Sequence, residues 1–146
     1  MSWQSLLQAQ RIKSHRTSRQ ELDDLRDVVE RDLQDAAVPA VSADRRFATA
    51  YNAVLQLGKM VIACAGYRVA GPGHHLTTSR PLRSRWDRPF LRLSRISTPA
   101  DARETKLSTI ARMRPQKPSR GAVKQGKKFR ELIEKWILKH HPRYVI

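Results

Sequence analysis

One long apolar stretch, residues 44–75, constrains the fold of this chain more than any other part of its sequence. Within it, apolar residues recur at three- and four-residue steps and spread around most of a helical circumference. This pattern predicts a helix that other helices enclose. Gly66 is a natural residue to end it, because glycine readily adopts the left-handed conformation that follows a helix C-terminus. We therefore expect a central helix, followed by a turn at Tyr67 and Arg68.

Amphipathic segments on either side of this stretch predict further helices. Residues 3–15 carry apolar side chains at helical spacing and predict a short first helix. Ser18 and Glu21 have the spacing of a capping box, so a second helix should begin there and end just before Pro39. Apolar residues again recur at three and four within residues 123–146 and predict a last helix. The fold class predicted is all-α, a bundle of four or five helices.

The segment between these helices has a different composition. Residues 79–128 hold fifteen Lys and Arg against three Asp and Glu, which accounts for twelve of the sixteen excess positive charges of the chain. Arginine, serine and proline without helical or strand periodicity predict an irregular or disordered segment. We thus expect residues 1–78 to form helices one to three, residues 79–122 a long irregular basic insert, and residues 123–146 the C-terminal helix of the same bundle.

The net charge of +16 indicates a phosphate-bearing partner. Within the insert, arginines to contact phosphates and an aromatic ring to stack on bases are the candidate nucleic-acid-binding residues. They are Arg80, Arg83, Arg85, Arg88, Arg92, Arg95 and Trp86. The alternative is that these charges have no selected partner.

Cysteine content and hydropathy indicate the compartment. Cys64 is the only cysteine, which excludes a disulfide framework, and its place on an apolar helix predicts a buried side chain. No secretory signal and no apolar run of about 20 residues stands in the sequence. We expect a cytoplasmic protein without a membrane segment, and the spacing of its histidines predicts no metal site.

The string RRFATAYNAVLQLGKMVIACAGYRV, with the GHHLTT that follows it, resembles the HEPN family (higher eukaryotes and prokaryotes nucleotide-binding), in its bacterial small helical-bundle branch. LIEKWILKHHP is similar to the last helix of that branch, whereas residues 79–122 do not match. The resemblance implies a HEPN-like bundle that acts on or binds RNA or nucleotides without a cofactor. It also implies a homodimer, and a toxin–antitoxin or defence system in which the partner is an antitoxin or a nucleotidyltransferase-like protein.

Many members of that family cleave RNA without a metal, through an Arg-x(4–6)-His motif near the start of a late helix, or an Arg-Asn pair in this branch. This sequence holds no Arg-Asn pair. Arg68, His74 and His75 have the motif spacing and are the candidate catalytic residues, although they follow the central helix instead of opening a late one. The competing interpretation is a structural turn packed on the bundle. We therefore expect a chain without the intact nuclease motif.

Two further functions remain open on the sequence alone. A non-enzymatic nucleic-acid binder would use the insert as a basic arm, with an affinity that falls steeply with salt. A helical dimerisation module would use Trp136 and Ile137, or Trp3 with Leu6 and Leu7, as aromatic and aliphatic anchors of its interface.

The abrupt change of composition after Thr78 suggests that residues 79–122 are translated out of frame. Read from each codon's third base, Thr78–Leu82 can encode FEAL, and the shifted frame within residues 97–112 can encode DTCRRKRNKVVDYR. The second string contains the missing Arg-Asn. We predict that the nucleotide sequence of the gene spells both strings in the shifted frame; codons for residues 97–112 that do not would refute the hypothesis.

Overall fold

In residues 3–70 and 119–145, which the computed structural model describes, the chain forms four helices and one antiparallel pair of short strands, and the three long helices share one apolar core. The elements in chain order are α1 (Trp3–Gln8), β1 (Ile12–Ser14), α2 (Arg19–Ala36), α3 (Ala43–Cys64), β2 (Tyr67–Val69) and α4 (Ser119–His140), followed by a 3₁₀ turn (Pro142–Tyr144). The prediction of an all-α helical bundle is confirmed.

Helix α3 is the centre of the bundle, as its periodicity predicts. Eleven of its 22 residues are buried, from Ala50 to Cys64. Helices α2 and α4 pack against it with Leu22, Val29 and Phe129 in one shared apolar cluster. Among the described helices, α3 alone is long and apolar enough to cross a membrane, and 61% of its apolar window is buried inside the protein. Burial of that kind is what a core helix shows.

The ends of α2 and α3 follow local sequence signals. The Ser18 hydroxyl accepts a hydrogen bond of 3.1 Å from the backbone N–H of Glu21, which satisfies one of the free amides of the first turn of α2. Helix α2 ends at Ala36, two residues before the predicted position at Val38. Ala65 caps α3, and Gly66 follows with a φ of +90°. The predicted role of Gly66 is confirmed.

The predicted helix of residues 3–15 is confirmed only as far as Gln8, and the predicted turn at Tyr67 and Arg68 is wrong. Helix α1 ends at Gln8, and Gln10 takes a positive φ of 52°, which no continuing helix allows. Strand β1 then pairs antiparallel with β2, with Ile12 opposite Val69. A helix through residue 15 would expose Ile12, whereas in the sheet its side chain is 1% exposed. Burial of Ile12 and the ladder hydrogen bonds therefore favour the strand.

Helix α4 begins at Ser119, four residues before the predicted segment of residues 123–146. Its core face carries Phe129, Ile133 and Ile137, which are at most 1% exposed. Gly126 lies on the same face, and a Cβ atom there would stand 2.8 Å from the Leu33 side chain. The lack of a side chain at this position thus lets α4 approach α2 closely.

Two of the anchors predicted for a dimer interface lie in the core instead. Ile137 is fully buried and Leu6 is 2% exposed, so neither side chain is available to a partner. Trp136 and Leu7 are half-buried. The Trp136 ring stacks on His140 at a centroid distance of 5.3 Å and lies tilted against His141 at 5.1 Å. Ile137 serves folding because it falls on the face of its helix that packs into the apolar cluster shared with α2 and α3.

Gly66 offers a test of the α3–β2 connection. Replacing Gly66 by Ala places a Cβ in the left-handed region, and we expect the free energy of unfolding to fall by about 1–2 kcal/mol. Gly121 in α4 is the matched control, since its Cβ would meet nothing within 4 Å. Gly121→Ala should raise the stability by about 0.5–1 kcal/mol through helix propensity. Urea unfolding monitored by circular dichroism measures both; an unchanged midpoint for Gly66→Ala would contradict this geometry.

Candidate functional site

A groove of about 550 Å³ lies between α2, α3 and β2. Apolar side chains of α2 and α3 form part of its wall, among them Leu25, Leu55 and Ile62. Helix α3 adds three polar residues at four- and three-residue spacing, which places them in a row along one helix face. They are Asn52, Gln56 and Lys59.

A buried carboxylate fixes the first residues of this row. The Asp32 side chain is 7% exposed, and its Oδ2 accepts a hydrogen bond of 2.6 Å from Asn52 Nδ2. Gln56 Nε2 donates in turn to Asn52 Oδ1 over 3.3 Å. Arg31 reaches the other Asp32 oxygen at 3.2 Å from the solvent side. A buried charge needs such partners, so Asp32 orients Asn52, and Asn52 orients Gln56 at the groove wall.

A second carboxylate, Glu21, lies at the groove on the α2 side. Its Oε2 accepts hydrogen bonds of 2.7 Å from His15 Nε2 and from the Thr17 hydroxyl. Burial raises the pKa of Glu21, but the hydrogen bonds from His15 and Thr17 outweigh it, so the pKa lies below its ordinary value of 4.5. The resulting stabilisation is fully present above about pH 4.5 and is lost as the pH falls through the lowered pKa. Glu21 is therefore ionised at neutral pH and is engaged by its own neighbours.

Two cations face the opposite side of the groove. Lys59 on α3 and Arg68 on β2 are both exposed and both line it. Across residues 3–70 and 119–145, neither forms an ion pair. The planar guanidinium of Arg68 can bind a carboxylate or a phosphate through two parallel hydrogen bonds, and Lys59 adds a mobile point charge. The groove thus combines an apolar wall, an amide oriented by its hydrogen bonds, the Glu21 carboxylate held by His15 and Thr17, and two cations that form no ion pair within the described residues.

The structure places one of the predicted catalytic residues. Arg68 lies on β2 opposite Lys13 of β1, in a strand and not in the predicted turn. His74 and His75 lie outside the described residues, so the pairing of Arg68 with either histidine stays a prediction. The predicted nucleic-acid-binding residues of the insert also lie outside the described part. They are Arg80, Arg83, Arg85, Arg88, Arg92, Arg95 and Trp86.

Sequence reasoning did not predict Gln56 and Lys59 as groove residues, nor Asp32 as the carboxylate that orients Asn52. The available signal was the row of polar residues at i, i+4 and i+7 on an otherwise apolar helix. A second signal is the position of Asp32 on the apolar face of α2. A carboxylate on such a face requires a polar partner from another element.

Cys64 does not line the groove. The Cys64 thiol is buried, and burial raises its pKa to about 11, so the reactive thiolate is disfavoured. The prediction of a small buried residue is confirmed. Within residues 3–70 and 119–145, no three His, Cys, Asp or Glu side chains come together in a manner that could hold a metal ion.

The hydrogen bond between Asn52 and Asp32 gives a direct test of the network. We expect Asn52→Ala to lower the free energy of unfolding by about 2 kcal/mol, because it leaves a buried carboxylate oxygen without its donor. Gln34→Ala is the control, since Gln34 makes a comparable side-chain bond of 2.8 Å to Glu30 on the exposed face of α2. That change should cost at most about 0.5 kcal/mol. Equal losses of stability in denaturant unfolding would contradict the role of Asp32.

The geometry above is the basis for a functional proposal, because sequence and structure comparisons supply no relative. No family model matches the chain, and neither a curated protein nor a solved structure matches it.

Proposed function

We propose that this chain is a HEPN-like helical bundle that binds RNA or a nucleotide in the groove between α2, α3 and β2. The observation that carries the proposal is the pair Lys59 and Arg68, which form no ion pair within residues 3–70 and 119–145, beside the oriented amide of Gln56. The resemblance of residues 44–75 to the HEPN family supports the same ligand class. A toxin–antitoxin or defence role, with an antitoxin or nucleotidyltransferase-like partner, is the biological setting that we propose from this resemblance.

The chemistry of the groove fits a nucleotide in three respects. Its volume of about 550 Å³ falls within the roughly 300–1,000 Å³ typical of small-molecule sites. Leu25 and Val69, which are half-buried, offer an apolar surface for a base or ribose, while the Gln56 amide can donate to or accept from a base edge. Lys59 and Arg68 supply positive charge for the phosphate. Each part of a nucleotide therefore has a counterpart in the groove.

We propose binding without cleavage. Cleavage of a phosphodiester needs a group to transfer a proton and a cation to stabilise the transition-state charge. Arg68 is a cation at the groove, but the sequence has no Arg-Asn pair. The Arg68–His74 spacing falls after the central helix and not at the start of a late one. These departures from the family pattern favour a chain that keeps the bundle and lacks the nuclease motif.

The basic arm remains the second candidate. Fifteen cations against three carboxylates in residues 79–128 favour it, since such a segment would bind phosphates without reading sequence. It would produce an affinity for long RNA that does not depend on the groove.

A nucleotide titration tests the groove. We expect a fluorescent nucleoside monophosphate to bind the full chain, and Lys59→Ala combined with Arg68→Ala to weaken binding about tenfold or more through the loss of charge-assisted hydrogen bonds. Arg19→Ala combined with Arg45→Ala is the control, because both residues are exposed and lie away from the groove. Equal loss in both variants would contradict the groove as the site.

The same preparation tests the absence of cleavage. We expect RNA to remain intact on incubation with the full chain. Cleavage that disappears in a His74→Ala, His75→Ala variant would contradict this part of the proposal and would make those histidines catalytic.

A further inference from the structure

Helix α4 carries a second basic surface, which faces away from the core. We call it the lysine face and define it as Lys124, Lys128, Lys135 and Lys139, all of which are exposed. At 100° per residue these four positions fall within roughly 60° of the helix circumference, and they extend over about 22 Å of its length. The result is a straight row of positive charge on the surface of the protein.

Local helix energetics account for only part of this row. Lys139 lies in the last turn of α4, where the helix dipole favours positive charge, and Lys135 follows Glu131 by four residues, a favourable spacing for opposite charges. Lys124 and Lys128 are separated by four residues, as are Lys135 and Lys139, and like charges at that spacing repel each other. This repulsion opposes part of the stabilisation.

The carboxylates near α4 are engaged elsewhere. Glu134 pairs with Arg26 of α2 at 2.8 Å, and Glu30 of α2 pairs with Arg130. The hydrogen bonds that Arg130 and Gln34 donate to Glu30 lower the pKa of that carboxyl, and the charge of Lys127 lowers it further. Because Lys127 interacts with Glu30, we exclude it from the lysine face. In the described part of the chain, Glu131 is the one carboxylate that α4 places beside the row. Within the described residues, the four lysines of the face thus exceed the neighbouring carboxylate by three charges.

The charge of the bundle is divided between two helices. Helix α2 holds seven acidic residues and three basic ones, whereas α4 holds seven basic residues and two acidic ones. A separation of this kind orients an approaching polyanion toward α4 and away from α2. The charge separation therefore determines which side of the bundle a polyanion approaches.

The composition of the face specifies the type of contact. It consists of lysines, which bind phosphates as mobile point charges and lack the planar guanidinium with which arginine stacks on aromatic rings. The opposite side of α4 is occupied by Phe129, Ile133 and Ile137 in the core, and Leu138 is the one large apolar residue of α4 that is exposed, so the described helix has no apolar face to place in a lipid bilayer. A backbone of regularly spaced phosphates is the polyanion that matches a straight row of lysines.

We propose that the lysine face binds the sugar-phosphate backbone of RNA without regard to sequence, as a docking surface separate from the groove. The inference rests on the proposed function in that RNA is its ligand. The lysine face contains none of the groove residues, and it would hold a strand longer than one nucleotide.

Salt-dependent binding to the full chain tests this surface. The probe is a fluorescent uridine homopolymer of about twenty nucleotides, and the variant replaces all four lysines of the face by Gln. Removal of four phosphate contacts should lower the slope of log K against log salt by about 3 and weaken binding at least tenfold near physiological salt. The control replaces Lys13, Arg16, Arg19 and Arg45 by Gln, which are exposed cations outside α4. This control should retain most of the slope.

The outcomes separate the two proposals. An unchanged slope in the lysine-face variant, while the Lys59, Arg68 variant loses nucleotide binding, would overturn the lysine face and leave the groove standing. Nucleotide binding without homopolymer binding would do the same. Failure of the full chain to bind either probe would overturn both proposals. Unaltered thermal unfolding of the Gln variants verifies that the bundle is intact.

Other occupants of the face give different results. Equal affinity for polyglutamate, or binding to vesicles rich in anionic lipid that the four substitutions abolish while homopolymer binding persists, would overturn a phosphate backbone as the ligand. A change of solution mass in the lysine-face variant with unchanged homopolymer binding would assign the face to a second copy of the chain. An adenosine homopolymer should bind as well as the uridine homopolymer, and a large difference between them would contradict sequence-independent contact.

Discussion

The burial of α3 is the constraint on which the rest of the structure depends. Half of its residues are removed from water, so α2 and α4 must cover it on different sides. Gly126 allows α4 to approach Leu33 closely, and ion pairs then orient the two outer helices. Arg26 donates two hydrogen bonds to Glu134, of 2.8 and 3.2 Å, and a third to the Tyr144 carbonyl. Apolar burial therefore holds the bundle together, while these directional contacts fix how α2 and α4 meet.

The same central helix builds the groove. Its apolar positions enter the core, and the polar row of Asn52, Gln56 and Lys59 follows the α2 side. Asp32 connects the two roles, because a carboxylate buried between α2 and α3 must be paired, and its partner Asn52 in turn orients Gln56. Stability and ligand recognition thus depend on one hydrogen-bond network. On the far side of the bundle, α4 uses its apolar face for the core and leaves its lysines to solvent.

Local signals in the sequence predicted much of this fold. Helix periodicity found α3 and α4, the Ser18–Glu21 spacing found the start of α2, and Gly66 marked the end of α3. What was missed depends on contacts between distant residues. Ile12 forms a strand only because Val69 pairs with it, and Leu6 becomes a core residue only once the bundle is assembled. In the groove, the Asp32–Asn52 bond joins two helices, and Arg68 reaches the groove through the pairing of β1 with β2. Local sequence patterns predict neither contact, because each joins residues that are distant along the chain.

The central claim is that α4 completes one cooperative core with α2 and α3. Native-state amide hydrogen exchange of the full chain, measured residue by residue, tests it most directly. Amides in the buried half of α3 and in residues 129–137 of α4 should open with the same free energy, equal to that of global unfolding, because they share one apolar cluster. Exchange of the α4 amides at a much lower opening free energy, while those of α3 stay protected, would show that α4 is not part of that core.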